Sequence, residues 1–217
     1  MGVLWRDVLV PDHVVASDGL TAEVGSVVEM SLLLHCRYRT SWGQHEPSAS
    51  LPRVSDAQAD SRGGWVHDLV GRVVQLDGVV WTDGWVIEVD GLAVYVQEVG
   101  DSSGLRLGTL SSIRERGSDP PLPLPEAGAW VRVRGGFSVA EAYQTDLYGS
   151  ADEVLGRAER RWLVRRIVRL DREQGGPGSV ARTHRVDVPV MDFDSLRYGH
   201  ECWTSGYLLD LEQPSDP

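Results

Sequence analysis

The sequence contains no lysine and no asparagine, and all 21 of its basic side chains are arginine. Isoleucine and phenylalanine are also scarce. These four residue types share codons rich in A and T, so their scarcity is typical of a GC-rich genome of the actinobacterial type. Arginine is therefore partly a codon habit here, and its frequency alone does not indicate a phosphate-binding site.

Long apolar runs and cysteines are few as well. No stretch approaches the roughly 18 apolar residues of a membrane span. Asp7, Pro11 and Asp12 stand where a secretory signal would have an apolar run. Cys36 and Cys202 are too few for a disulfide framework. We therefore expect a cytoplasmic protein with both thiols reduced and no membrane partner.

The charge is unevenly distributed along the chain. The net charge is −11, yet residues 127–172 hold nine arginines against six acidic side chains. The rest of the chain is acidic. A strongly acidic protein repels polyanions, so the charge favours another protein as the partner and makes nucleic acid the less favoured one.

The most regular segment runs from Val70 to Glu98, where β-branched and aromatic residues are interrupted by Asp-Gly pairs. Asp-Gly is a strong hairpin signal. A two-residue turn at Asp90 and Gly91 predicts a register that puts six apolar side chains on one buried face, with Val89 opposite Leu92, Ile87 opposite Val94 and Trp85 opposite Val96.

A second turn at Asp83 and Gly84 would place Val80 opposite Ile87. In that register Val74, Leu76 and Val80 extend the same buried face, whereas Glu88 lies on the other face. Both turns thus predict a meander with a single buried side, in which Asp77 and Gly78 form either a third turn or the bend of one long curved strand.

Further strands and short helices follow the meander. The pattern predicts a helix over Thr109–Arg116, a Pro-rich connector at 119–125 and a strand over Ala129–Val139. Ser150 and Glu153 have the spacing of a capping box for a brief helix. Another strand is predicted over Trp162–Leu170. The order is three strands, a short helix and two strands.

This order resembles the oligonucleotide/oligosaccharide-binding fold (OB-fold) over residues 65–172. The resemblance implies a small five-stranded barrel. The predicted fold class is mostly β: an OB-like small barrel with flanking N- and C-terminal β segments and one or two short helices.

The flanks complete the predicted organisation. Residues 1–40 are predicted to form an N-terminal β segment, 41–64 a flexible polar linker or loop, and 173–217 a C-terminal β segment that packs on the N-terminal part. Strands are predicted at Thr183–Val190 and Tyr207–Leu211. Glu23 and Glu126 each open an acid-x-Gly step before a strand, which we interpret as shared turn chemistry.

The sequence gives little indication of a catalytic or metal-binding site. His35, Cys36, His200 and Cys202 are metal-ligand types, but their spacing does not fit a chelating pair. Asp192, Asp194, His184 and His200 accompany no recognised catalytic motif, and Asp-Phe-Asp at 192–194 is typical of a turn. We expect no metal, no cofactor and no catalytic residues.

The candidate binding face consists of one aromatic and five basic side chains on and beside the last two strands of the predicted barrel: Trp130, Arg132, Arg134, Arg161, Arg165 and Arg169. These arginines either pair with acidic neighbours or bind a single-stranded nucleic acid. If the arginines pair with acidic neighbours, the predicted function is that of a non-catalytic, protein-binding module with an acidic surface. An immunity or inhibitor-like role is suggested for it by analogy. The alternatives are single-stranded nucleic-acid binding and, third, a hydrolytic enzyme.

Overall fold

The structure, a computed structural model, describes residues 4–42, 66–74, 84–89, 92–98, 124–140, 160–175 and 181–214. The elements in chain order are β1 (Leu4–Pro11), α1 (Asp12–Ala16), β2 (Ala22–Glu23), β3 (Val27–Met30), β4 (Leu32–Ser41), β5 (His67–Val74), β6 (Gly84–Val89), β7 (Leu92–Glu98), β8 (Trp130–Val139), β9 (Arg160–Glu173), β10 (Arg182–Asp187), β11 (Val190–Met191), a 3₁₀ turn (Phe193–Ser195) and β12 (Cys202–Glu212). The protein is mostly β, as predicted. The helices predicted at Thr109–Arg116 and near Ser150 lie outside the described residues.

The chain divides into two compact units. The barrel unit comprises the described residues between 32 and 137. The sheet unit comprises residues 4–31, 138–140, 160–175 and 181–214.

The barrel unit is a closed ring of five strands in the order β5, β6, β7, β4, β8 and back to β5. β5 is antiparallel to both β6 and β8, and β4 is parallel to β7. The ring surrounds a core of side chains that are almost completely buried, including Trp85, Ile87, Val94, Val133 and Phe137. A closed ring leaves no free strand edge.

The hairpin of β6 and β7 has the predicted register. Trp85 lies opposite Val96, Ile87 opposite Val94 and Val89 opposite Leu92. All six side chains are buried, and Glu88 is exposed. The Asp-Gly turn signal and the alternation of side chains were sufficient to predict this register, because both depend only on residues close together in the sequence.

The register predicted from the second turn is wrong. Ile87 pairs with Val73 rather than Val80, and Val74 pairs with Val86 on the opposite face of the sheet. β5 also pairs with β8 from His67 to Arg72, so the position of β5 is determined by two partners. The pairing with β8 holds β5 in a register that a turn at Asp83 and Gly84 would not produce.

The strand that completes the ring also differs from the expectation. The strand predicted at Trp162–Leu170 is β9 of the sheet unit, and the ring is completed by β4 from the N-terminal part. β4 begins with three buried leucines, Leu32–Leu34. Such a continuous apolar run suits a strand that is buried on both faces.

The sheet unit is built on β9, which pairs with β12 along most of its length. β9 also pairs with β3 near its start and with β10 near its end. β12 in turn pairs with β1, so the C-terminal strand lies beside the N-terminal one. Trp162, Val164 and Leu209 are completely buried.

The two acid-x-Gly steps form the same kind of turn. Ser26 N donates to Glu23 O at 2.9 Å, and Ala129 N donates to Glu126 O at 3.0 Å. Gly25 and Gly128 have φ angles of 90° and 82°, which favour glycine. The similarity between the two segments is therefore explained by turn chemistry, as predicted.

Candidate binding surfaces

Arg132 and Arg134 of the barrel unit bind one carboxylate, that of Asp68 on β5. Arg132 donates through Nε and Nη2 at 2.7 and 2.6 Å, and Arg134 donates through Nε at 2.7 Å. Burial disfavours ionisation of the Asp68 carboxyl, whose side chain is 6% exposed, but these hydrogen bonds outweigh burial and lower the pKa of Asp68 below 3.8. Both guanidinium groups are thus occupied by an internal partner.

Two tryptophans accompany this cluster. The guanidinium carbon of Arg132 lies 5.4 Å from the centroid of the Trp42 ring, a cation–π contact. Trp42 N donates to Trp130 O at 2.9 Å. Trp130, predicted to be external, is half-buried. The structure therefore brings Trp130, Arg132 and Arg134 together, and Trp130 is only partly accessible to solvent.

The three arginines predicted on β9 do not share one exposed face. Arg161 and Arg165 are exposed, but Arg169 is only 7% exposed. The β9–β12 register shifts between Asp210 and Leu211, which lie opposite Arg166 and Val164. This irregularity interrupts the alternation on which the sequence prediction depended. Arg165 donates to Glu212 at 2.6 Å.

Arg169 forms a buried ion pair with Asp171 two residues along the same strand. Its Nε and Nη2 donate to the two carboxylate oxygens at 2.8 and 3.0 Å. Asp171 also accepts a hydrogen bond from Thr204 Oγ1 at 3.2 Å and lies 3.3 Å from Arg197. This carboxylate therefore joins β9 to β12 and to the segment that precedes β12.

That segment, residues 192–201, is held by many hydrogen bonds, and we call it the aromatic loop. Asp192 and Ser195 form a capping box around the 3₁₀ turn. Ser195 Oγ also lies 2.7 Å from Tyr207 Oη, and Ser195 O accepts from Arg169 at 3.2 Å. Burial raises the pKa of the Tyr207 hydroxyl, which keeps it protonated. The predicted turn at 192–194 is confirmed.

The aromatic loop displays two large rings to solvent. Phe193 is 58% exposed and Tyr198 is 67% exposed. Their ring centroids are 6.3 Å apart, a spacing typical of interacting aromatic rings. Asp194 and Glu201 are exposed on the same loop, and the guanidinium of its one arginine, Arg197, lies beside Asp171. The aromatic loop therefore exposes two aromatic rings, two acidic side chains and one arginine, whose side chain is 58% exposed.

A second charged cluster links β1 with β10 in the sheet unit. Asp7 has a side chain that is 2% exposed, and it accepts a hydrogen bond from Arg185 at 2.6 Å. Burial raises the pKa of Asp7 above 3.8 despite that hydrogen bond. Its φ of 52° is unusual for a residue other than glycine. Arg166 and Asp187 form a neighbouring pair at 2.6 Å.

Two of the residues considered for catalysis have partners in the structure. His184 pairs with Glu173 at 2.9 Å, whereas Asp192 caps the 3₁₀ turn. Across the ranges that the structure describes, there is no group of three or more His, Cys, Asp or Glu side chains arranged to hold a metal ion. The same ranges contain no helix long and apolar enough to cross a membrane. Cys36 and Cys202 are both thiols.

Sequence reasoning missed Asp68, Asp171 and the exposed pair Phe193 and Tyr198. The two carboxylates are distant in sequence from most of their partners, and no pattern marks them. The aromatic pair had a detectable signal, namely two aromatic residues in a turn-rich segment without strand alternation. In comparisons with known proteins, no family model, curated protein or solved structure matches this chain.

Proposed function

We propose that this chain is a non-catalytic module that binds another protein, and that the aromatic loop is its contact surface. The observation that carries the proposal is the exposure of Phe193 and Tyr198 on a loop held by the Asp192–Ser195 capping box and the Asp171 network. Rigid, exposed aromatic side chains are typical of binding hot spots because little conformational entropy is lost when they are covered.

The chemistry of the partner is inferred from charge. The aromatic loop exposes Asp194 and Glu201 against one arginine, Arg197, and the whole chain carries a net charge of −11. A protein surface with arginine or lysine side chains beside an apolar cleft would pair with the acids and place a cation against an aromatic ring. An immunity or inhibitor-like role in the cytoplasm is consistent with such a surface.

The runner-up function is single-stranded nucleic-acid binding by an OB-like barrel. It is supported by the strand order, since the meander β5–β6–β7 is closed by two further strands, β4 and β8. In the predicted OB-like order both closing strands follow the meander, whereas here β4 precedes it in the chain. An OB-like assignment would therefore require a rearranged strand order in the sequence. The pairing of Arg132 and Arg134 with Asp68, and of Arg165 with Glu212, weighs against phosphate binding by these side chains.

The test uses the purified protein as bait in a lysate of its own organism. We expect a basic protein to be retained by the wild type and by a Tyr38→Ala control, because Tyr38 is an exposed aromatic residue of the barrel unit. The double variant Phe193→Ala/Tyr198→Ala should not retain it. Equal retention by the double variant would contradict the assignment of the loop.

Fluorescence titration with a single-stranded oligonucleotide tests the runner-up. At physiological salt we expect no binding tighter than the non-specific level of about 10⁻⁴ to 10⁻⁶ M. Tight binding with a steep salt dependence, abolished in Arg161→Gln/Arg165→Gln, would favour the nucleic-acid function instead.

A further inference from the structure

The strand β10 is exposed along its whole length. All six residues from Arg182 to Asp187 are exposed. Within the described part of the chain, β10 pairs with β9 alone and is the terminal strand of its sheet. A strand edge of this kind presents main-chain N–H and C=O groups that can pair with another strand.

The register with β9 determines which main-chain groups face outward. Val188 N donates to Ile167 O at 3.0 Å, which continues the β10–β9 register beyond Asp187. Alternate residues of an antiparallel pair exchange hydrogen bonds, so Val186 and His184 also direct their main-chain groups towards β9. Those of Thr183, Arg185 and Asp187 consequently point away from the sheet.

The side chains of this edge are complementary to a second copy of themselves. If two β10 strands pair antiparallel about a twofold axis at Val186, Arg185 lies opposite Asp187 of the second copy, and Asp187 lies opposite Arg185 of the second copy. Val186, which is 37% exposed, then lies opposite its own counterpart. Opposite charges in cross-strand positions are favourable.

Neighbouring registers lack this complementarity. An axis at Arg185 would place two guanidinium groups opposite each other, and like charges directly opposite are unfavourable. An axis at His184 would place Arg185 opposite Thr183 of the second copy, which offers no opposite charge. In the register centred on Val186, the ladder also has a defined end, because Thr183 would reach Pro189, which has no N–H and whose carbonyl accepts from Val24 N at 2.9 Å.

We propose that the protein is a homodimer in which β10 pairs antiparallel with β10 of the second copy about an axis at Val186. Within each copy, Asp7 binds Arg185 and Arg166 binds Asp187, so each of these two β10 side chains already has one oppositely charged neighbour. In the dimer, each would gain a second oppositely charged neighbour from the other copy. A closed twofold pair also covers the edge of both strands. This proposal is independent of the function of the aromatic loop.

Cysteine cross-linking tests the register directly. In a Cys202→Ser background, Val186→Cys would place two Cα atoms about 4.5 Å apart at a non-hydrogen-bonded pair, within the range of a disulfide. We expect mild oxidation to convert most of this variant to a covalent dimer. The matched variant Thr183→Cys, three residues away on the same strand, should stay monomeric on a denaturing gel. Equal cross-linking at the two positions would overturn the register.

Sedimentation velocity over a wide concentration range tests the dimer itself. The wild type should show a concentration-dependent dimer, which Asp187→Arg should abolish by placing like charges opposite each other. Asp194→Arg makes the same change in charge away from β10 and should leave the dimer intact. Thermal denaturation by circular dichroism establishes that each variant is folded. A wild type that is monomeric at every concentration would overturn the proposal, even if an extended segment of another protein binds this edge.

Discussion

Replacing Trp85 by alanine tests how the barrel core is assembled. Trp85 is 2% exposed and lies opposite Val96, which is completely buried. Its neighbour two residues along the chain, Ile87, points into the same core. Glu88 lies on the opposite face and is exposed. The pair Trp85→Ala and Glu88→Ala therefore compares the two faces of one strand.

The expected magnitude follows from the buried area. A buried tryptophan side chain removes about 150–250 Å² from water, which at about 25 cal/mol per Å² corresponds to roughly 4–6 kcal/mol. Alanine retains the Cβ, so we expect a loss of about 3–5 kcal/mol in the free energy of unfolding. The Arg39 guanidinium, 5.9 Å from the ring centroid, adds about 1 kcal/mol or less. Glu88→Ala should cost under about 0.5 kcal/mol.

Urea denaturation followed by far-UV circular dichroism measures both changes. Trp85→Ala should lower the midpoint strongly, and Glu88→Ala should leave it near that of the wild type. Hydrogen exchange should locate the loss of protection in β5, β6 and β7. If the two variants are equally mild, the assignment of the inner face of β6 is wrong.

Three further predictions concern single residues. The pKa of Asp68 lies below 3.8 in the folded protein. Its contribution to stability is therefore present above pH 3.8 and is lost as the pH falls through the folded pKa. Asp68→Asn should lower the free energy of unfolding at neutral pH and make stability less dependent on pH in the acid range. Asp7 has the opposite sign, because its pKa is raised above 3.8, so its contribution favours the folded state at low pH and is lost as the pH rises through the folded pKa. Asp7→Asn, which also tolerates the positive φ, should remove that decline in urea midpoints measured across the pH range; an unchanged decline would contradict the assignment. Gly135→Ala would drive a Cβ into the main-chain carbonyl of His35 and should lower the thermal midpoint by the equivalent of about 3 kcal/mol or more, whereas a wild-type midpoint would show that β8 and β4 can separate there.

Much of the local structure could be predicted from the residues alone. The β6–β7 register, the strand that contains Val131, Val133 and Phe137, and the turn at Asp192 were all predicted. Each depends on side-chain alternation or turn chemistry within a few residues. The candidate site was predicted less well, since the exposed strip of Arg161, Arg165 and Arg169 is interrupted by the irregularity in β9. A bulge depends on the partner strand, which no local pattern reveals.

The sequence by itself determined the β class, the acidic charge, the β6–β7 hairpin and the two glycine turns, because these follow from composition and short-range sterics. Only the tertiary structure decided that β4 completes the barrel, that Asp68 holds Arg132 and Arg134, and that Arg169 is buried beside Asp171. The reason is physical: many strands of similar apolarity can pair, and the choice among them depends on the packing of the whole core. A carboxylate and its arginines, 64 and 66 residues apart, meet only after that choice is made.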